Sequence, residues 1–272
     1  MPVFEDVLSE LRVRPGAKVS LSKLDAGRTL GLEKESTKQR LEELRAEMAE
    51  LQELMYADRS RGLLIVLQGM DTSGKDGTVK NVMGGVDPHG CRVTAFKAPT
   101  EEERAHDFLW RIHRAVPPRG FIGIFNRSHY EDVLIARVRG LVPEKVWKER
   151  YALINAFESL IDEGGVTVLK FYLHISKDEQ RERLQARVDD PHKHWKFNPA
   201  DLKERERWDE YEKAYEDALE KCSTERAPWT IVPANKKWVR NIVVAETVVR
   251  TMRAMKLQWP KAEFDPKGVV VK

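Results

Sequence analysis

Short apolar runs alternate with longer amphipathic stretches along most of this chain. The apolar runs have the length and composition of strands buried on both faces. The predicted strands are residues 63–68, 92–97, 121–126, 166–174 and 229–233. Stretches with helical periodicity fall between them. The predicted helices are residues 75–84, 101–115, 129–138, 144–163, 177–188, 201–221 and 238–255. Ser176 and Glu179 form a capping-box pattern at the start of one of these helices.

This alternation of strands and helices determines the expected fold. Strands separated by helices predict a parallel β-sheet with helices on both faces, and so an α/β three-layer sandwich. In such folds a ligand binds at the carboxyl ends of the strands. We therefore look for functional side chains where the predicted strands end.

The first 60 residues differ from the rest and predict an N-terminal extension. Residues 36–58 read as one amphipathic helix, with apolar side chains at alternating spacings of three and four positions. These side chains are Leu41, Leu44, Met48, Leu51 and Met55. The pattern fits a helix packed on the core, and the alternative is a helix in a subunit interface. We expect a main domain over residues 61–258 and a tail over residues 259–272.

The strongest functional motif is GMDTSGKDG, residues 69–77, which follows the first predicted strand and precedes a helix. It fits the phosphate-binding pattern G-x-x-x-x-G-K. Backbone N–H groups converge on phosphate oxygens in such a loop, and a lysine and the helix N-terminus add positive charge. The predicted phosphate-binding residues of this loop are Gly69, Thr72, Ser73, Gly74, Lys75, Asp76 and Gly77.

Two acidic residues set this loop apart from the usual pattern. Asp76 stands where a Ser or Thr commonly binds Mg²⁺, and Asp71 lies inside the loop. A carboxylate beside phosphates is repulsive unless a cation lies between them. We therefore expect Asp71 to bind Mg²⁺, which usually takes one or two carboxylates together with phosphate oxygens and water. Asp76 is expected to cap the helix, and Thr78 is a weaker candidate for the missing hydroxyl.

The third predicted strand ends in FNRSHYEDV, residues 125–133. In phosphate-loop folds a neighbouring strand often supplies an acid for the metal at this position, but here the residue is Asn126. Arg127 follows at once and could stabilise a phosphoryl group in the transition state. His129 is a candidate base, although a packing or capping role is simpler. Glu131 is a weak candidate for an indirect metal contact.

A basic segment, residues 181–201, predicts a lid over a polyanionic substrate. It carries Arg187, Lys193 and Lys196 around an Asp190–Pro191 break. Lids exclude water and complete the charged site. An ordinary solvated face is the alternative, although the interleaved aromatic residue Trp195 argues against it.

Composition limits the other classes of function. The net charge is only +3, with 41% hydrophobic and 33% charged residues. This balance predicts a globular protein without general nucleic-acid binding. Cys91 and Cys222 are far apart and form no metal or redox motif, which suits a reducing compartment. The chain shows no apolar segment of membrane-spanning length and no signal core, so we expect a cytoplasmic protein.

Taken in order, several of these segments resemble the polyphosphate kinase 2 family over about residues 30–258. The matching motifs are GMDTSGKDG, FNRSHYEDV, DDPHKHWKFNPAD, RWDEYEKAYEDAL and TERAPWTIVPANKKW. The resemblance implies a phosphate-loop kinase fold with a helical lid. It also implies Mg²⁺-dependent, reversible transfer of a terminal phosphoryl group between inorganic polyphosphate and AMP, ADP or ATP, with Mn²⁺ as an alternative ion.

The same resemblance assigns roles to individual residues. It maps the loop acid to Asp71, the loop lysine to Lys75, the strand-end arginine to Arg127 and the lid arginine to Arg187. Many family members carry Asp where this chain has Asn126, so Asn126 is the weaker metal ligand. The form NRSHYED is similar to that of the subgroup that accepts both AMP and ADP. Family members commonly form homo-oligomers, as dimers or tetramers.

Two other functions fit parts of the pattern. An ATP-dependent nucleoside monophosphate kinase would share the loop, the lid and the fold. A non-catalytic polyanion-binding module would need a larger positive charge and would not need Asp71 in its loop. The salt dependence of polyphosphate binding, taken together with any nucleotide product, discriminates between these functions.

Overall fold

The computed structural model describes residues 2–265 and residues 267, 269 and 271. Its strands are β1 (Gly62–Gln68), β2 (Cys91–Ala95), β3 (Ile122–Asn126), β4 (Val166–His174) and β5 (Trp229–Pro233). They form one five-stranded sheet in the order β2-β3-β1-β4-β5, and every neighbouring pair is parallel. Helices surround this sheet, which confirms the predicted α/β fold.

The α-helices connect these strands and flank the sheet. They are α1 (Pro2–Glu10), α2 (Lys34–Asp58), α3 (Lys75–Val82), α4 (Glu101–Arg104), α5 (Trp110–Ala115), α6 (Ile135–Val138), α7 (Glu144–Glu163), α8 (Lys177–Val188), α9 (Ala200–Glu206), α10 (Trp208–Lys221) and α11 (Lys237–Ala254). Strand β1 is buried along its whole length and lies at the centre of the sheet. The segments that follow β1 and β3 therefore meet at one edge.

Three predicted helices are interrupted. The predicted helix 101–115 is α4 and α5, because the Asp107 carboxylate accepts the N–H of Leu109 (2.9 Å) and starts a new turn. The predicted helix 201–221 breaks at Arg207, whose guanidinium donates to the carbonyl oxygen of Val138 (2.7 Å). The predicted helix 129–138 is a 3₁₀ turn, His129–Asp132, followed by α6.

The N-terminal residues are more ordered than their sequence pattern indicates. Helix α1 had no clear periodic signal, and Arg12 forms an antiparallel bridge with Thr230 of β5. Helix α2 packs on the core, since Leu44, Met48 and Met55 are all 0% exposed. This confirms the core-packing interpretation of the helix.

Helix α2 is also joined to α11, because Arg40 pairs with the buried Glu246 (2.8 Å). Part of the predicted tail, namely Pro266, Gly268, Val270 and Lys272, lies outside the described residues, as does Met1. Among the residues that the structure describes, no helix is long and apolar enough to cross a membrane.

Candidate active site

The 69–75 loop joins β1 to α3 and depends on two glycines with unusual backbone angles. Gly69 has a φ of 151°, and a Cβ there would lie 2.7 Å from the carbonyl oxygen of Leu173. Gly74, with a φ of 101°, caps the N-terminus of α3. Thr72 also has a positive φ, 66°. The loop thus turns tightly and leads into a helix N-terminus, as the motif predicts.

Lys75 lies beneath this loop rather than in open solvent. Its ammonium donates to the carbonyl oxygens of Gly69 (2.7 Å) and Met70 (3.2 Å), and only 8% of the residue is exposed. Burial, followed by the neighbouring Arg127, lowers the pKa of Lys75 to about 8. Burial of this positive charge therefore destabilises the folded protein, and a bound anion would offset that loss of stability.

Arg127 and Asp71 meet between the loop and the end of β3. Nη2 of Arg127 lies 2.5 Å from Oδ1 of Asp71, and Nη1 lies 3.5 Å from Oε2 of Glu131. Arg127 has a φ of 62°, which is uncommon for a residue with a side chain. Glu131 is the main cause that raises the pKa of Arg127, and Asp71 adds to it. Two predicted site residues are thus brought together.

Asn126 lies beside this pair and contacts the other loop acid. Its amide nitrogen donates to Oδ1 of Asp76 (2.5 Å), so its side-chain carbonyl oxygen points away from Asp76. Asp76 is in the first turn of α3 but makes no side-chain cap there, because Gly74 occupies the capping position. The expected capping role of Asp76 is therefore wrong, and Asp76 orients Asn126.

The donor set fits a magnesium ion. Among the described residues there is no group of three or more His, Cys, Asp and Glu side chains placed to hold a metal by themselves. Mg²⁺ does not need such a group, because substrate phosphates and water commonly complete its shell of oxygen ligands. Asp71 supplies a partly exposed carboxylate, and Asn126 adds an amide oxygen nearby. Oγ1 of Thr72 and Oγ of Ser73 are buried without a hydrogen-bond partner in this part of the structure, as expected of a loop that receives a ligand.

The predicted lid residues lie in and around a 3₁₀ turn, Pro191–Lys196. Arg187, in the last turn of α8, donates to the carbonyl oxygen of Lys196 (3.1 Å) and lies 3.7 Å from the Asp201 carboxylate. Lys193 pairs with Asp190 (2.8 Å). The ring of Trp195 is 80% exposed, so this aromatic residue does not pin the segment to the core.

A cavity of about 170 Å³ separates the lid segment from the loop. Gly69, Asp71 and Arg127 line it on one side, and α9 and α10 line the other. The remaining lining residues are Met70, Glu131, Leu134, Ile135, Arg139, Gln180, Asn198, Ala200, Asp201, Glu204, Arg205, Trp208, Tyr211 and Tyr215. The other predicted site residues are not on its walls. They are Thr72, Ser73, Gly74, Lys75, Asp76, Gly77, Asn126, Arg187, Lys193 and Lys196. Burial and the nearby Asp71 raise the pKa of Asp201, so a cation in this cavity would favour its ionised form.

Two side chains from α8 support the loop and were missed as site residues. Arg183 donates to the carbonyl oxygens of Thr72 (2.8 Å) and Ser73 (3.1 Å), and Gln180 donates to that of Asp71 (3.0 Å). The same guanidinium bonds the segment after β5 at Ala234 and Asn235. Their spacing puts Gln180 and Arg183 on one face of α8, which is the signal that could have found them.

A buried polar network anchors the segment that follows Arg127. Lys170 on β4 and Glu158 on α7 form an ion pair (2.6 Å), and both are almost fully buried. The Tyr130 hydroxyl donates to Glu158 (2.8 Å), and Nε2 of His129 lies 3.1 Å from the same carboxylate. His129 is 0% exposed, which favours its packing role over a role as base.

Ser176 caps α8, but only half of the predicted capping box forms. Its hydroxyl accepts the N–H of Glu179 (3.2 Å). The Glu179 carboxylate instead pairs with Arg183 (2.7 Å), and the N–H of Ser176 donates to Asn235 (3.0 Å). The helix that carries Arg183 is therefore fixed to the segment after β5.

Comparison with known proteins places this site in a family. The family profile described as polyphosphate kinase 2 matches residues 31–260. The AMP/ADP-polyphosphate phosphotransferase of Meiothermus ruber is 47% identical over 97% of this chain and 100% of its own length. The ADP-polyphosphate phosphotransferase of Rhodopseudomonas palustris is 43% identical over 79% of this chain and 78% of its own length. The crystal structure of polyphosphate kinase 2 from Arthrobacter aurescens TC1 superimposes with a TM-score of 0.92 at 49% identity, covering 97% of this chain and 94% of that one.

Proposed function

This chain belongs to the polyphosphate kinase 2 family, and we propose that it transfers the terminal phosphoryl group between inorganic polyphosphate and adenine nucleotides. The proposed reactions convert AMP to ADP and ADP to ATP, and both are reversible. The observation that carries this proposal is the full-length similarity to a protein named for both acceptors. The arrangement of Lys75, Arg127 and Asp71 at one edge of the sheet supports it.

The chemistry that this site must supply is mainly charge neutralisation and alignment. The acceptor is the terminal phosphate of AMP or ADP, whose second pKa near ~6 leaves it ionised at neutral pH. No general base is required, which agrees with the burial of His129 against Glu158. The protein then has to bring two polyanions together and hold the reacting oxygen in line with the phosphoryl group.

Four side chains carry this role in our proposal. Lys75 and the backbone of the 69–75 loop bind phosphate oxygens, and Arg127 stabilises the transferring phosphoryl group. Arg187 contacts the same phosphoryl group when the lid segment closes. Lys193 and Lys196 bind the polyphosphate chain. Closure would exclude water and protect the phosphoryl group from hydrolysis.

A divalent cation belongs to this proposal, with Mg²⁺ preferred and Mn²⁺ as an alternative ion. Asp71 would hold it, with Asn126 as a weaker second ligand. The bound ion would neutralise charge on the phosphate oxygens. Asp71 also pairs with Arg127, so this carboxylate orients the Arg127 guanidinium.

Product analysis tests the proposal. The protein is incubated with AMP or ADP, long-chain polyphosphate and Mg²⁺, without ATP, and nucleotides are separated by chromatography. ADP and ATP formed from AMP support the dual-acceptor activity, and ATP formed from ADP alone restricts it to one acceptor. Phosphorylation of AMP by ATP but not by polyphosphate would contradict the proposal and indicate a nucleoside monophosphate kinase.

A further inference from the structure

Arg240, near the start of α11, is a buried cation that touches the loop. Only 2% of the residue is exposed. A Cβ at Gly74 would lie 1.8 Å from its Nη1, and a Cβ at Gly77 would lie 3.2 Å from its Nη2. The guanidinium therefore fills the space that side chains at these two glycines would need. It is in contact with the loop and with the first turn of α3.

This guanidinium has no carboxylate as a counterion. Its Nε and Nη2 both donate to the amide oxygen of Asn241 (3.1 and 2.8 Å). Among the described residues, no Asp or Glu oxygen lies within 4.0 Å of the Arg240 guanidinium, and no carboxylate contributes to the shift of its pKa. The buried Lys170, by contrast, pairs with Glu158. Burial and the neighbouring cation Arg183 lower the pKa of Arg240 to about 10.

The charges around the loop have the same sign as Arg240. Lys75 lies beneath the loop, and the N-terminus of α3 adds the positive end of its dipole. Arg183 also faces the loop, but Glu179 pairs with it (2.7 Å). A buried charge without a partner destabilises the folded state. Asp71, Glu131 and Asp76 partly compensate the charge of Lys75 through longer-range attraction, whereas none of the described carboxylates has this effect on Arg240.

We propose that Arg240 is a further positioning residue of the phosphate-binding loop, and that a phosphate chain bound at the loop is its counterion. The guanidinium holds the backbone at Gly74 and Gly77, and it contributes its charge to binding without transferring a proton. This inference rests on the proposed function, since it requires the loop to bind phosphate.

Thermal unfolding with inorganic tripolyphosphate, without nucleotide, tests the inference. The variants are Arg240→Met, which removes the charge, and Arg240→Lys, which keeps it. Arg250→Met is the matched control, because Arg250 lies on the same helix but pairs with Glu246 (3.5 Å). Loss of one charge-assisted contact is expected to weaken tripolyphosphate binding to Arg240→Met by about tenfold or more. Arg240→Lys and Arg250→Met should stay within about threefold of the wild-type affinity.

The sign of the effect without ligand separates this role from simple packing. Arg240→Met should unfold at the same temperature as the wild type or higher when tripolyphosphate is absent, because an unpaired buried charge has been removed. In the phosphotransfer assay, its KM for polyphosphate should rise more than its kcat falls. If Arg240→Met does not fold, Arg240→Gln provides the same comparison with an uncharged polar side chain.

Three results would overturn the inference. Arg240→Met (or Arg240→Gln) that binds tripolyphosphate with wild-type affinity would show a packing role only, as would equal losses in the Lys and Met variants. A wild-type protein that tripolyphosphate does not stabilise would refute phosphate binding at the loop, and the inference would fail with it.

Discussion

Replacing Lys170 with Met tests the buried network behind the β3 end. The ammonium of Lys170 lies 2.6 Å from Glu158, 3.0 Å from the Tyr130 hydroxyl and 2.5 Å from the carbonyl oxygen of Cys222. Burial alone would raise the pKa of Glu158, but Lys170 and His129 together lower it. Glu158 is therefore ionised and buried, and it depends on Lys170 for compensation.

The size of the effect follows from this burial. Removing one partner of a buried pair leaves an uncompensated charge and costs about 3–5 kcal/mol. The unfolding entropy expected for a chain of this length converts that loss into a fall in Tm of roughly 5–9 °C. Turnover should fall as well, because His129 and Tyr130 follow Arg127 and are held by the same carboxylate.

Urea unfolding and thermal unfolding measure the loss. Lys148→Met is the control, because Lys148 forms a solvent-exposed pair with Glu144 that should contribute little to stability. The double variant Lys170→Met with Glu158→Gln should recover part of the stability, since no buried charge remains unpaired. A loss below about 1 kcal/mol in Lys170→Met, or a double variant less stable than the single one, would refute the reasoning.

Four further predictions concern the site itself. Asp71→Asn should lower turnover by ~10²-fold or more at saturating Mg²⁺, and wild-type rates in this variant would contradict a metal role. Arg127→Ala should lower kcat by ~10²–10³-fold and change KM less, whereas an effect on KM alone would exclude a transition-state role. The KM for polyphosphate should rise above about pH 8 as Lys75 loses its proton, and a profile that stays flat up to pH ~10 would contradict this. In the absence of phosphate, the pKa of Lys75 is 10.5 in the unfolded chain and about 8 in the folded protein. Between about pH 8 and 10.5 the unfolded chain therefore binds more protons, so the free energy of unfolding should rise with pH over this range.

The sheet and the loop could be predicted because their signals are local. Apolar runs marked four of the strands, a mixed run marked the partly exposed edge strand β2, and the glycines and Lys75 marked the turn after β1. Helix breaks were harder to predict because they depend on contacts outside the helix. Arg207, for example, reaches Val138 on another element.

The side chains that hold the loop in place could not be predicted for the same reason. Arg183 reads as one member of a basic run, but it bonds carbonyl groups of the loop and of the segment after β5. Arg240 reads as a helix residue, and only the three-dimensional packing places it against Gly74. The pairing of Arg127 with Asp71 also joins residues that are 56 positions apart. Sequence patterns therefore indicated the position of the loop better than the side chains that support it.

The choice of phosphoryl donor is the central claim, and a labelled donor tests it most directly. The protein is given AMP and Mg²⁺ with polyphosphate labelled at its terminal phosphate, in the presence of an equal concentration of unlabelled ATP. The account predicts that the ADP formed in the first turnovers carries the label. Unlabelled ADP formed at the same rate with or without polyphosphate would contradict it, because ATP would then be the donor.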